Sequence, residues 1–165
     1  MERKMAKDIK TNVMRILEQK HISYKQYCYE GSGAVSGKDV AKVLGQDHER
    51  VFKTLVTKGK SGEHYVFVIP VEEELNLKKA AKAAGEKSIE MIPQKELLPL
   101  TGYIHGGCSP IGQKKQFSTY MDRSALDFET VLFSAGKIGY QVEMKAEELT
   151  GLMPVTFTEL TGTET

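Results

Sequence analysis

Two stretches pair residue types with spacings that could do chemistry: the apolar run Val51-Phe52-Lys53-Thr54-Leu55, and the long loop-like segment Gly102-Tyr103-Ile104-His105-Gly106-Gly107-Cys108-Ser109-Pro110-Ile111-Gly112-Gln113-Lys114-Lys115. Strands favour β-branched and aromatic side chains, so Lys53 intrudes on its neighbours. Its ammonium either snorkels to water on its methylene stem or points into a cleft where positive charge is wanted. The second segment sets four glycines, a proline and two lysines between apolar runs. Glycine lets other groups approach the main chain closely, and Pro110 biases Ser109 toward extended backbone. A loop of this kind offers bare N–H groups to an anion or a developing oxyanion, with Lys114 and Lys115 adding charge. A wide turn between two strands would look the same.

The remaining reactive groups lack partners. Cys108 is a candidate nucleophile, because a thiolate beside amides and lysines has a lowered pKa, yet no base motif accompanies it. A loop cysteine of this kind is more often a small space-filler. Ser109 and Ser134 have no histidine at a recognisable triad spacing. His21, His48, His64 and His105 fall in unrelated segments without carboxylates or cysteines at ligand spacing, so no metal or other cofactor is expected. His105 stands apart because it lies in the glycine loop and could titrate near neutrality. What is left is a pocket chemistry of Lys53, Thr54, Gly106, Gly107, Ser134 and Tyr29. Such a set can hold a phosphate and a carbonyl. It hydrolyses an ester only if the substrate brings its own nucleophile or water is positioned for it.

The elements that must position these groups follow from periodicity. Ile9, Val13, Ile16 and Leu17 mark an amphipathic helix ending near Lys20. Tyr24 to Tyr29 alternates like a strand, and Gly31-Ser32-Gly33 is a loop. Ser36 with Asp39 resembles a capping box for a short helix through Val40, Val43 and Leu44, stopped by Gly45. Val51 to Thr57 and Tyr65 to Ile69, joined through Gly59-Lys60-Ser61-Gly62, form a hairpin. Asn76 caps a helix from Leu77 to Ala84 closed by Gly85, whose Lys78, Lys79 and Lys82 read as a solvated face. A strand at Ile89 to Ile92, a short helix after Pro93, strands at Gln116 to Met121 and Thr130 to Ser134, a hairpin into Tyr140 to Met144 and a helix from Lys145 to Leu152 complete the chain. Thr161 to Thr165 should fray. Strands outnumber helices and no βαβ rhythm persists, so the expected class is α/β in the α+β sense: a mixed, largely antiparallel curved sheet or barrel surrounded by helices.

At 165 residues and 40% hydrophobic content, one domain spanning 1–165 is expected. Lys plus Arg is 23 and Asp plus Glu is 22, a net charge of +1, which gives no global attraction to DNA, RNA or a membrane surface. The longest apolar run, Tyr65 to Val71, is broken by Pro70, so neither a leader peptide nor a membrane span is expected. Cys28 and Cys108 suggest no disulfide framework, and a cytoplasmic setting is the natural expectation.

The two stretches above, with Leu77-Lys78-Lys79-Ala80-Ala81 and Ser134-Ala135-Gly136-Lys137, closely resemble the YbaK and prolyl-tRNA synthetase editing-domain superfamily, co-linearly from about Thr11 to Leu160. The resemblance implies a trans-acting aminoacyl-tRNA deacylase that hydrolyses Cys-tRNA(Pro), with Cys-tRNA(Cys) as a further substrate. It also implies prolyl-tRNA synthetase as partner and the aminoacyl-tRNA 3′ end as ligand. In the implied mechanism the substrate's own thiol attacks its ester carbonyl, releasing tRNA and a thiolactone. Lys53 would hold the terminal adenosine region or phosphate. Gly106 and Gly107 would present amides, while Tyr29, Thr54 and Ser134 shape the pocket. Intramolecular attack brings effective molarities of about 10⁵ to 10⁸ M, so no protein base is required. The chain departs from the family at Gln141, where an acidic residue is usual, and near Ser36, where an aromatic one is. Deacylation of Ala-tRNA(Pro) through activated water, and a non-catalytic tRNA- or synthetase-binding module, are the competing readings.

Overall fold

The chain's strongest local pattern, the apolar run from Tyr65, becomes the inner strand of a sheet buried on both faces. In the computed structural model, which describes residues 9–33 and 37–162, strand β3 (His64–Pro70) directs Val66 and Val68 into one hydrophobic cluster and Phe67 and Ile69 into another. Successive strand side chains point to opposite faces, so an uninterrupted apolar run is what a strand covered on both sides needs. β2 (Phe52–Gly59) pairs antiparallel with β3, with Gly62 at φ +98° in the hairpin turn. β4 (Ile89–Met91) pairs antiparallel with the far edge of β2. On the other side β5 (Ser118–Asp122) and β8 (Val155–Thr158) run parallel to β3. The five-stranded sheet therefore has the order β4-β2-β3-β5-β8.

A second, antiparallel sheet has the order β1-β7-β6, built from β1 (Lys25–Cys28), β6 (Val131–Ser134) and β7 (Tyr140–Met144). Among the described residues, the two sheets meet at one parallel bridge, between Val51 and Leu132, just before β2 begins. Two sheets joined at one corner replace the single curved sheet or barrel expected as alternatives. The mixed strand directions agree with the expected class.

Helix α1 (Asn12–Gln19) buries Val13, Met14 and Leu17, and Thr11 caps it by accepting the Met14 amide. Burying such side chains stabilises the fold by roughly 1.5 to 3 kcal/mol apiece. Helix α2 is Gly37–Leu44, and Gly45 follows it at φ +68°; the capping box read at Ser36 lies outside the described residues. Helix α3 (Leu77–Ala84) is capped as its sequence implies, Asn76 Oδ1 accepting the amides of Lys78 and Lys79 and Gly85 closing it in the left-handed region. The segment after Pro93 splits into a 3₁₀ turn, Gln94–Glu96, and α4 (Leu97–Thr101).

Three local readings change. Lys79 is no solvated residue: its Nζ donates to the Thr161 carbonyl at 2.7 Å and its side chain is 14% exposed. Thr161 and Gly162 accordingly do not fray, since Asn76 Nδ2 also donates to the Gly162 carbonyl and Leu160 is fully buried against α3. Residues 163–165 lie outside the described residues. The segment from Lys145 is a 3₁₀ stretch, Ala146–Gly151, and β8 beyond it went unread because its pattern is half-exposed at a sheet edge. Among the described residues no helix is long and apolar enough to cross a membrane.

Candidate active site

Where the two sheets diverge from the Val51–Leu132 bridge, a cavity of about 600 Å³ opens between them. β2 supplies one wall. The ends of β6 and β7, Tyr29 and α2 supply others, and the glycine loop together with α4 closes the remainder. Five of the six residues read as a site line it: Tyr29, Lys53, Thr54, Gly106 and Ser134. They come from four separate parts of the chain.

Each is held by its own element. Lys53 sits opposite Ile69 in the β2–β3 ladder, half-buried, and among the described residues its ammonium has no ion-pair partner. Beside it, Thr54 Oγ1 is buried with no hydrogen-bond partner among the described residues, a costly condition for a hydroxyl that a ligand group would relieve. Ser134 ends β6, and its Oγ accepts the Gly136 amide at 3.0 Å, so its own hydrogen is left to donate. Tyr29 is 7% exposed, tied down by its amide donating to the Gly139 carbonyl. Gly106 has φ +90°, a conformation that favours glycine, and its amide donates to no acceptor among the described residues.

Gly107 differs from its neighbour. It does not line the cavity, and its amide is spent on the Ile104 carbonyl at 2.9 Å within a turn. A Cβ built there would lie 3.1 Å from the Ile138 nitrogen, so glycine at 107 is what lets the loop pack on the β6–β7 turn. The two-amide cradle expected from Gly106 and Gly107 reduces to one open amide supported by a packing glycine.

Other residues of the glycine loop are structural. Ser109 is fully buried, its Oγ accepting the Ile111 amide and its carbonyl accepting from Gln113. Tyr103 donates to the Ile111 carbonyl at 2.6 Å, cinching the loop. Cys108 does border the cavity, but burial pushes its thiol up to about 12, outweighing a hydrogen bond with Thr101 that acts the other way. It is a protonated filler at neutral pH, not a thiolate. His105 is on the lining and exposed, with no hydrogen bond to a described residue that would fix its ring. No group of three or more metal-ligating side chains forms among the described residues.

Residues given no site role from the sequence complete the wall. Gln141, 4% exposed, exchanges hydrogen bonds with Gln46, whose Nε2 donates to Gln141 Oε1 at 2.6 Å while Gln141 Nε2 donates back at 3.3 Å. The β6–β7 register, Ser134 against Gln141, could have revealed the position once the hairpin was inferred. Tyr140 lines the cavity too, its hydroxyl donating to Glu30 at 2.9 Å. Asp39 and Val40 of α2 also lie on the lining. Nothing local marks either as such.

A cavity holding a lysine, an open amide and hydroxyls, with no nucleophile–base pair among the described residues, can bind an anion and a polarised carbonyl and hold a substrate rigidly. Comparison with known proteins gives this geometry a context. The family model described as the aminoacyl-tRNA editing domain matches residues 32–152. EbsC of Enterococcus faecalis, a candidate Cys-tRNA(Pro)/Cys-tRNA(Cys) deacylase, is 47% identical over 156 residues, 94% of this chain and 95% of that one. The proline–tRNA ligase of Pelobacter propionicus is 35% identical over 77 residues, 47% of this chain and 13% of the ligase. The crystal structure of a candidate trans-editing enzyme for prolyl-tRNA synthetase shares the fold, with a TM-score of 0.80 at 23% identity, covering 94% of this chain and 100% of that one. By sequence across most of its length and by architecture, this chain belongs to the aminoacyl-tRNA editing domain family.

Proposed function

We propose that this chain is a trans-acting aminoacyl-tRNA deacylase whose substrate is Cys-tRNA(Pro), with Cys-tRNA(Cys) as a second substrate, and that the misattached cysteine's own thiol cleaves the ester. The observation that carries this reading is the cavity's inventory: Lys53, Thr54, Ser134 and the Gly106 amide converge on it, while the one thiol on its lining is held protonated. Family membership and the E. faecalis relative support it.

Lys53 supplies positive charge for the phosphate or ribose of the terminal adenosine. The Gly106 N–H is set to hold the ester carbonyl oxygen as charge builds there. Thr54 and Ser134 offer hydroxyls and Tyr29 closes the wall. Gly107 supports the loop through packing. As the thiol adds to its carbonyl carbon, its proton passes to solvent; when the C–O bond breaks, the departing ribose oxygen takes up a proton and the cysteine leaves as a thiolactone. Positioning alone makes this cyclisation competitive. The related prolyl-tRNA ligases point to prolyl-tRNA synthetase as the partner that delivers the mischarged tRNA.

A panel of Cys-, Ala- and Ser-tRNA(Pro), together with S-methyl-Cys-tRNA(Pro), tests the reading. Release of tRNA from Cys-tRNA(Pro) and resistance of the S-methyl substrate are expected. Turnover of the S-methyl and alanyl substrates at the cysteinyl rate would replace thiol attack by activated water.

A further inference from the structure

An aminoacyl-tRNA brings a cation as well as a phosphodiester to any site that binds it: its α-amino group is protonated through much of the neutral range. Placed in the cavity it would meet Lys53 and a largely apolar wall, both unfavourable for an ammonium. Some anion must offset it. Among the described residues on the lining there is one carboxylate, Asp39 of α2.

We infer that Asp39 recognises the α-ammonium of the aminoacyl group, so that the cavity reads the substrate as a pair of opposite charges: ammonium toward Asp39, phosphate or ribose toward Lys53. The inference rests on the deacylase reading above and adds a residue to it. Other nearby acids lie off the lining. Glu30 accepts from the Tyr140 hydroxyl and does not line the cavity, and Glu143 is tied to Tyr27, Arg50 and Thr130. The polar wall residue contributed by β7, Gln141, is a neutral amide clasped by Gln46 and provides no second charge. Asp39 lies in the first turn of α2, directly before Val40, which also borders the cavity. It has a contact of its own, but a carboxylate offers roughly four acceptor sites and can serve an incoming ammonium as well.

The test is equilibrium binding, independent of turnover. An RNA minihelix ending in a non-hydrolysable amide-linked cysteine is prepared with its α-amine free or acetylated, and both forms are titrated against the full chain at pH 6.5 by fluorescence anisotropy. The free-amine probe is expected to bind the unaltered chain about tenfold more tightly, the scale of one charge-assisted hydrogen bond. Asp39→Asn should abolish that preference by weakening the free-amine probe alone, and Asp39→Glu should restore part of it. Equal binding of both probes to the unaltered chain, or a preference that survives in Asp39→Asn, overturns the inference. The first comparison needs no variant, so a folding defect cannot obscure it. Turnover of Cys-tRNA(Pro) in parallel separates the two readings: catalysis without the preference removes Asp39 only, and the preference without catalysis removes the deacylase.

Discussion

Lys53 and Cys108 border the same cavity and differ in what their surroundings allow. The half-buried Lys53 ammonium has no ion-pair partner among the described residues and is left for a ligand, whereas burial pushes the Cys108 thiol up to about 12. Lys53→Ala is therefore expected to lower deacylation about 10²- to 10³-fold, the range for removing one preorganised electrostatic group, with the thermal midpoint unchanged. Single-turnover kinetics checks this; near-normal activity would dissociate the lysine from the chemistry. Cys108→Ala and His105→Ala should each keep activity of the same order as the parent chain. A deep loss in either would restore a protein nucleophile or base. For His105 the ground is orientation: an effective imidazole base is normally aligned by a third group, and no described residue performs that role.

At the level of elements, the start of β2 is anchored to the smaller sheet by a polar cluster. Glu143 of β7 accepts from Tyr27 at 2.6 Å, from Thr130 at 2.5 Å and from Arg50 at 3.2 Å, and Arg50 also donates to the Thr130 carbonyl. Burial alone would raise the Glu143 carboxyl; hydrogen bonds from Thr130, Tyr27 and Arg50 outweigh it and hold the carboxyl below its ordinary range. A depressed folded-state pKa means stability that is present above the unfolded value of about 4.3 and lost as pH falls through the folded one. Glu143→Gln should cost about 1 to 3 kcal/mol at pH 7. The gap to the parent chain should narrow as the pH drops below about 4.3, by urea denaturation at a series of pH values. A gap that does not change with pH would show that packing, not charge, holds this corner. Arg50 lies three residues before Lys53, so the same cluster fixes where the lysine enters the cavity.

Across the whole molecule, the C-terminal segment closes the outer face of the larger sheet. Leu160 is fully buried beneath α3, its amide donates to Asp122 and its carbonyl accepts from Asn76. Leu160→Ala should cost about 2 to 5 kcal/mol, measured by chemical denaturation, with little change in Km for the substrate because the cavity is lined by other residues. A negligible cost would mean that this segment only rests on the sheet. The amino-acid order by itself determined the β2–β3 hairpin, the α3 caps and the β6–β7 turn, since each depends on a few neighbouring residues: Gly62 at positive φ, Asn76 and Gly85 at the helix ends, and a short glycine-bearing connection at Gly136 and Gly139. It also singled out Lys53, Thr54, Gly106, Ser134 and Tyr29, because a charge in an apolar strand or a glycine-dense loop stands out locally. Only the tertiary structure decided that these five share one cavity, that the Gly107 amide is already used, that Asp39 and Gln141 join the wall, and that Lys79 holds the C-terminal strap. Those facts turn on which distant segments meet across the two sheets, and burial, pairing and the spending of a hydrogen bond are properties of neighbours in space that no local spacing records.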